Sequence, residues 1–221
     1  MSRKPEDKLQ IDEQWLQDAG YENHCFVSYP RINNPEMIEI AEHVKDRVEN
    51  DLSYLVSTPR VFLDRQGLSV GAVWEENLRR ALCKSVTMVA LCSPMYYSPI
   101  HRWCILEWEA MYGLSLARLP AEDFRAIIPL IVRTFGSVPS QYSSINYIDI
   151  SRVTLRGRRY FGTNEFREAI RQVTNQIARV ADALKRNQSR TECERFQFPQ
   201  TPPPASPAAE IQPQSFWGPK Q

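Results

Sequence analysis

Residues 85–92 read SVTMVALC, and this stretch is the strongest indication of the fold class. Its side chains are small, β-branched or apolar throughout, without the alternation of apolar and polar residues that a half-exposed strand shows. Unbroken runs of this kind are typical of parallel strands that helices cover on both faces. The stretch therefore predicts a central strand of a parallel α/β sheet.

Shorter apolar runs and amphipathic segments alternate along the rest of the chain. The other candidate strands are residues 24–29, 60–63, 127–132 and 147–150. Apolar residues at helical spacing occupy residues 34–51, 74–83, 98–117 and 164–185. Pro129 argues for an edge position or a strand start, because proline cannot donate to a central ladder. The alternation predicts a parallel sheet of about five strands with helices on both faces.

The two ends of the chain differ in composition from this central part. Residues 1–23 are polar, carry charges throughout and lack the apolar core of a signal peptide, so we interpret them as a leader or a short helix packed on the edge of the domain. From Pro199 onward the chain is dense in proline and low in bulky apolar residues, which predicts a disordered or polyproline tail at residues 189–221. The predicted domain lies between them, at residues 24–188.

Charge and ligand-forming residues argue against several classes of function. The 27 Lys and Arg residues balance the 26 Asp and Glu residues, so we expect no nucleic acid or membrane partner. The five cysteines and three histidines lack metal-ligand spacing, and we expect no metal site. Scattered cysteines in apolar segments indicate buried free thiols in a reducing compartment, with redox sensors as the alternative. With no signal peptide and no apolar run long enough to cross a bilayer, we expect a cytoplasmic location.

Polar residues follow the predicted strands where ligands bind in parallel α/β sheets, in the crevice outside the carboxyl ends of the strands. Ser28, Tyr29 and Arg31 follow the first strand, and Asp64 follows the second. Each has a simpler alternative: Arg31 as a solvated loop residue, and Asp64 as the cap of a turn before Gly67. The residues alone leave both interpretations open.

Glu107 lies on the helix after the third strand, four residues beyond Trp103. On a helix this spacing places both side chains on one face. An aromatic surface beside a carboxylate suits a planar, cationic substrate. The alternative is that Trp103 packs in the core while Glu107 is a solvated helix residue, and the stretch alone does not separate the two.

Three stretches together resemble the Toll/interleukin-1 receptor (TIR) domain, in order and at matching intervals from about residue 24 to residue 150. They are HCFVSYPR at 24–31, VFLDRQGLSVGAVWEENLRRAL at 61–82, and SVTMVALCSPMYYSP at 85–99 with WCILE at 103–107. The resemblance implies a flavodoxin-like parallel sheet and homotypic TIR–TIR assembly, with a possible downstream effector or activator protein. It implies that the assembly loop contains Arg65, Gly67, Leu68, Gly71 and Val73.

TIR domains include scaffolds and enzymes that cleave NAD⁺ between ribose and nicotinamide. In the enzymes the required glutamate lies in a WxxxE setting on the helix after the third strand, which maps onto Trp103 and Glu107. The resemblance thus implies that Glu107 is catalytic and that NAD⁺ is a substrate and not a cofactor. The implied substrate-binding residues are Ser28, Tyr29, Arg31, Asp64 and Trp103. Pro30 departs from the pattern, since the enzymes often carry a second basic residue there.

The chemistry of this bond needs only one carboxylate. Nicotinamide in NAD⁺ is already a cationic pyridinium and leaves as a neutral molecule, unlike the leaving group of most glycosidases. A fixed carboxylate stabilises the oxocarbenium-like charge that develops on the ribose. We therefore expect an NAD⁺ glycohydrolase or ADP-ribosyl cyclase of the prokaryotic type, acting in antiphage defence or immune signalling. The alternatives are a non-catalytic TIR scaffold and a nucleoside-processing transferase of similar build.

Overall fold

A computed structural model describes residues 10–30, 35–63, 73–133, 144–154 and 157–199. A parallel sheet with the strand order β2-β1-β3-β4-β5 forms its centre. The strands are β1 (Asn23–Ser28), β2 (Val61–Leu63), β3 (Ser85–Cys92), β4 (Ile127–Ile131) and β5 (Ile148–Asp149). This is the flavodoxin-like order, with the reversal in strand order between β1 and β3. The predicted five-stranded flavodoxin-like sheet is confirmed.

Strand β3 occupies the middle of the sheet, as its sequence predicts. All eight of its residues are buried, and it pairs in parallel with β1 from Asn23–Ser85 to Ser28–Ala90. Strand β4 pairs on the other side, from Met88–Ile127 to Cys92–Ile131. A strand buried on both faces offers no exposed polar side, which explains why its sequence reads as one continuous apolar run.

Helices cover both faces of this sheet. They are α1 (Glu13–Asp18), α2 (Pro35–Leu52), α3 (Val73–Cys83), α4 (Arg102–Arg118), α5 (Ser151–Thr154) and α6 (Asn164–Arg186), with 3₁₀ turns at Pro99–His101 and Gly157–Gly162. Helix α2 packs on α6, and helix α3 packs on α4. Helices α3, α4 and α6 also contact β3. None of the helices in the described ranges is both long and apolar enough to span a membrane.

Helix ends agree with capping signals in one case and depart from them in another. Thr163 caps α6 by accepting the Phe166 N–H at 3.2 Å, and the helix begins at the predicted residue. The side chain of Ser98, the first residue of the helix predicted at residues 98–117, makes no capping hydrogen bond. The chain instead forms a 3₁₀ turn over Pro99–His101, so the α-helix begins at Arg102, four residues later than predicted.

The expectation for Pro129 was wrong about the edge of the sheet. Strand β4 lies between β3 and β5, and Pro129 sits in its middle, paired with Ala90. The strand β5 pairs only with Leu130 and Ile131, so Pro129 lies in the half of β4 that has no outer strand. A residue without an N–H is tolerated there because the outer ladder has not yet begun.

The cysteine prediction holds for three residues and fails for two. Cys25, Cys92 and Cys104 are buried free thiols, as expected. Cys83 and Cys193 form a disulfide, with their Cα atoms 5.7 Å apart, although 110 residues separate them in sequence. Such spacing carries no pairing signal, since only the fold brings the end of α3 to the C-terminal segment. The bond attaches residues 188–199, which we call the C-terminal strap, to α3. The strap overlaps the start of the tail predicted at residues 189–221, and its residues through 199 pack on the domain.

Candidate active site

The candidate site lies at the carboxyl ends of β1 and β3, where the strand order reverses. Ser28 is the last residue of β1. After β3, Tyr96 N–H donates to the Ser93 carbonyl at 3.0 Å and closes a turn that directs the chain toward α4. Glu107 follows in the second turn of that helix. Parallel α/β sheets bind ligands at this reversal point.

Glu107 is buried, with only 2% of its surface exposed, and its carboxylate faces the end of β1. Its Oε2 accepts a hydrogen bond from Ser28 Oγ at 2.5 Å. The interpretation of Glu107 as a solvated helix residue is therefore wrong. A buried carboxylate is costly to desolvate unless polar partners compensate, and Ser28 supplies one of these partners.

Tyr96 completes a chain of three buried polar side chains. Its hydroxyl lies 2.8 Å from Ser28 Oγ, and neither side chain exceeds 1% exposure. Burial raises the pKa of Tyr96 well above its ordinary value, and the Cys104 and Cys92 sulfurs and the Glu107 carboxylate raise it further. Tyr96 therefore keeps its proton. Since the Ser28 proton goes to Glu107, the Tyr96 hydroxyl donates to Ser28.

The walls around this chain are apolar and aromatic. The rings of Tyr96 and Trp108 meet edge-to-face with centroids 6.3 Å apart. Tyr97 donates from its hydroxyl to the Cys92 sulfur at 3.2 Å, and burial raises the pKa of the Cys92 thiol to about 12. Hydrogen bonds and charges act more strongly in such a low-dielectric environment than in water.

Trp103 and Glu107 lie on one helix but contact different parts of the molecule. The half-buried Trp103 ring meets Phe198 of the C-terminal strap edge-to-face, with centroids 5.7 Å apart. It also lines an open cavity of about 780 Å³ between α3, α4 and the strap. The Glu107 carboxylate faces Ser28 instead. The predicted aromatic surface beside the carboxylate is thus occupied by a residue of the same chain.

The structure brings Ser28 to Glu107, and it places Tyr29 in the hydrophobic core. Arg31 and Asp64 lie outside the described residues, as do four of the predicted assembly-loop residues, Arg65, Gly67, Leu68 and Gly71. Val73 opens helix α3, but its side chain is not among those described. The predicted roles of these residues stay predictions.

Tyr96 is the site residue that the sequence prediction missed. Its position could have indicated a role, because Tyr96 lies in SPMYYSP directly after the central strand. Parallel α/β sheets bind ligands in the crevice outside the carboxyl ends of their strands. Two adjacent tyrosines left open which of them turns inward. Among the described residues, no group of three or more His, Cys, Asp or Glu side chains is arranged to hold a metal ion.

Comparison with known proteins agrees with this architecture. A family model for the TIR domain matches residues 25–159, which is more than half of the chain and lies within the predicted domain. The crystal structure of the TIR domain of the Toll-related receptor TRR-2 from Hydra magnipapillata is similar, with 22% sequence identity and a TM-score of 0.40. That similarity covers 68% of this chain and 99% of the Hydra chain. No curated protein matches the sequence significantly.

Proposed function

Because the chain belongs to the TIR domain family, whose members associate with one another in signalling, we propose that it is an NAD⁺ nucleosidase in which Glu107 is the catalytic residue. The reaction converts NAD⁺ and water into ADP-ribose, nicotinamide and a proton. A cyclic product forms instead when a group of the substrate, and not water, attacks the ribose. The mass of the product distinguishes the two.

The observation that carries this proposal is the position of the Glu107 carboxylate. It is buried at the reversal point between β1 and β3, with Ser28 Oγ 2.5 Å from Oε2. Burying a carboxylate costs free energy that a hydrophobic residue in the same place would avoid. A domain that acts only as a scaffold has no use for this cost at the ligand-binding end of its sheet.

The proposed chemistry follows from the charge of the substrate. The pyridinium leaves as neutral nicotinamide, so no acid is needed to protonate it. Positive charge moves to the ribose as the bond breaks, and the Glu107 carboxylate stabilises it electrostatically. The apolar walls formed by Tyr96 and Trp108 strengthen that interaction, because little water competes with it.

Access to Glu107 requires a change from the described conformation. Only 2% of the surface of Glu107 is exposed, so its carboxylate cannot contact a substrate the size of a dinucleotide in this conformation. We propose that homotypic assembly, the common property of TIR domains, favours an open form of this crevice. The enzyme would then be inactive as a dilute monomer and active when assembled.

The first prediction tests Glu107 against a neighbouring glutamate. Purified, concentrated protein is incubated with NAD⁺, and nicotinamide release is followed by chromatography. Glu107→Gln should lower the rate by about 10²–10³-fold, the usual cost of removing one electrostatic group from a reaction centre. Glu109→Gln is the matched control, since residues two apart on a helix do not face each other, and it should retain most of the activity.

A non-catalytic TIR scaffold is the second candidate. The observation in its favour is that Phe198 covers Trp103, the aromatic residue assigned to substrate binding. Under this alternative the protein assembles normally and releases no nicotinamide at any concentration. If Glu107→Gln and wild-type protein release nicotinamide equally, the catalytic role of Glu107 is also wrong, because the activity then comes from elsewhere.

A further inference from the structure

The C-terminal strap, residues 188–199, is held on the rest of the molecule by hydrogen bonds as well as by its disulfide. Arg79 of α3 donates to the carbonyl oxygens of Cys193, at 2.9 Å, and Phe196. Ser189 Oγ donates to the Arg118 carbonyl at 2.7 Å, and Thr191 N–H donates to the Ala19 carbonyl at 2.9 Å. The strap therefore has a fixed start and a cross-linked middle.

The far end of the strap covers the first turn of α4. Phe198 is buried against Trp103, and Phe196 packs on Phe198 with ring centroids 6.1 Å apart. Glu194 and Phe198 line the cavity of about 780 Å³ that also borders Trp103. Whatever loosens residues 193–199 will expose the Trp103 ring to this cavity.

The environment of the disulfide differs at its two sulfurs. Cys83 is fully buried at the end of α3, whereas Cys193 is only partly buried on the strap. The Arg118 guanidinium lies 3.6 Å from the Cys83 sulfur and donates to the Cys83 carbonyl at 2.7 Å. In the described part of the chain, its other partners are the Ser85 carbonyl and the ring of Tyr21, and not a carboxylate.

A buried cation beside one sulfur favours the thiolate form of that sulfur. Thiol–disulfide exchange is fastest when the attacked sulfur is accessible and the departing sulfur is stabilised as a thiolate. Cys193 is the more exposed residue of the pair, and Arg118 lies where it would stabilise Cys83 as the departing thiolate. Both features favour opening of the disulfide by attack at Cys193 over attack at Cys83.

We propose that Cys193 is a thiol–disulfide exchange site for small thiol or dithiol reductants, and that exchange there releases the strap from Trp103. A reductant thiolate attacks the Cys193 sulfur, the S–S bond breaks, and Cys83 departs with the electron pair. A second reductant thiol attacks the mixed disulfide and releases Cys193. The reductant becomes a disulfide, and its two thiol protons pass to Cys83 and Cys193.

The consequence for activity rests on the proposed function. With Trp103 assigned to substrate binding, the oxidised strap restricts the site and the reduced strap opens it. Exchange at Cys193 would then regulate NAD⁺ cleavage without touching Glu107. The structural part, release of the strap from Trp103, stands independently of any catalytic activity and is measured separately.

Dithiothreitol and the full-length oxidised protein provide the first test. Under native conditions we expect the protein to gain two hydrogen atoms by mass, and N-ethylmaleimide then to label Cys193 while the buried Cys25, Cys92 and Cys104 stay unlabelled. Amide hydrogen exchange in residues 193–199 should accelerate roughly tenfold, the change expected for loss of about 1.4 kcal/mol of docking free energy. Reduction only under unfolding conditions, or unchanged exchange in the strap, overturns the proposal.

Two variants supply matched controls. Cys193→Ser should show the accelerated amide hydrogen exchange in the strap without reductant. Dithiothreitol should then have no further effect on it. Arg118→Lys keeps the positive charge and should be reduced at nearly the wild-type rate, whereas Arg118→Gln should be reduced roughly tenfold more slowly. Equal rates for these two variants overturn the assignment of Arg118. If Arg118→Gln does not fold, the wild-type protein and Cys193→Ser still test the exchange site.

Nicotinamide release separates this proposal from the proposed function. Faster release by the reduced protein than by the oxidised protein supports both. If the strap opens but neither form releases nicotinamide, the proposed function is wrong and the exchange site stands. If the strap opens and both forms release nicotinamide equally, Trp103 does not limit access of the substrate and the regulatory part of the proposal is wrong.

Discussion

Tyr96 acts on Glu107 through a single intermediate side chain, Ser28. Removing its hydroxyl leaves the Ser28–Glu107 hydrogen bond possible but no longer fixes the direction of the Ser28 oxygen. We predict that Tyr96→Phe lowers kcat for nicotinamide release by about fivefold, with less effect on KM, in line with the loss of about 1 kcal/mol from one neutral hydrogen bond. Tyr97→Phe is the matched control, because Tyr97 bonds Cys92. Equal losses in the two variants would show that Tyr96 does not position Glu107.

His24 makes the stability of the protein depend on pH. Burial lowers its pKa below the ordinary value of 6.5, and its Nδ1 accepts the Arg60 N–H at 3.1 Å. The unfolded state therefore binds a proton at a higher pH than the folded state, and stability is lost as the pH falls through 6.5. Urea unfolding at pH 7.5 and pH 5.5 should show this loss, and His24→Asn should reduce it. His101, whose pKa burial also lowers, contributes with the same sign.

Single residues show where sequence interpretation succeeds and where it stops. Ser28 and Glu107 were predictable, because strand ends and helix spacing place them at one crevice. Trp103 was predicted to share the face of Glu107, but Phe198, 95 positions later in the chain, takes up its ring. Long-range packing partners of this kind have no local signal. Tyr96 was missed because periodicity does not show which of two adjacent tyrosines points inward.

Among the elements, the C-terminal strap depends most on a single bond. The disulfide spans 110 residues, and closing a loop of that length restricts the unfolded chain strongly. We predict that Cys193→Ser lowers the free energy of unfolding by about 2–5 kcal/mol, measured by urea denaturation without reductant. Wild-type protein unfolded in dithiothreitol should match the variant. Equal midpoints for the oxidised wild type and the variant would contradict the prediction.

The strands and helices themselves were predictable to within a few residues, because their apolar patterns are local. Strand β3 begins and ends where its sequence indicates, and α6 extends one residue further than expected. There are two exceptions. Helix α4 starts late because Pro99–His101 form a 3₁₀ turn, and Pro129 is tolerated inside β4 because β5 is only two residues long. The second cause is tertiary, since the length of β5 cannot be read from the sequence of β4.

For the whole molecule, the fold and the candidate site place opposite demands on Glu107. Folding buries the carboxylate beneath Ser28 and Tyr96, which stabilises one orientation and excludes water. The proposed catalysis requires that NAD⁺ reach the same carboxylate. A two-state crevice reconciles these demands if the open state is rare in the monomer and favoured in an assembly. The apparent activity of a dilute sample is then the activity of the open form multiplied by the fraction of open molecules.

The final prediction concerns assembly. Specific activity, the rate of nicotinamide release per molecule, should rise with protein concentration, because mass action converts closed monomers into assembled, open ones. Substituting Gly71 in the predicted assembly loop by valine should flatten this dependence, and sedimentation velocity should show smaller species at the same concentration. Unchanged sedimentation together with lost activity would place Gly71 at the catalytic step. A specific activity independent of concentration would mean that single domains open the crevice unaided, and that the burial of Glu107 is no barrier to the substrate.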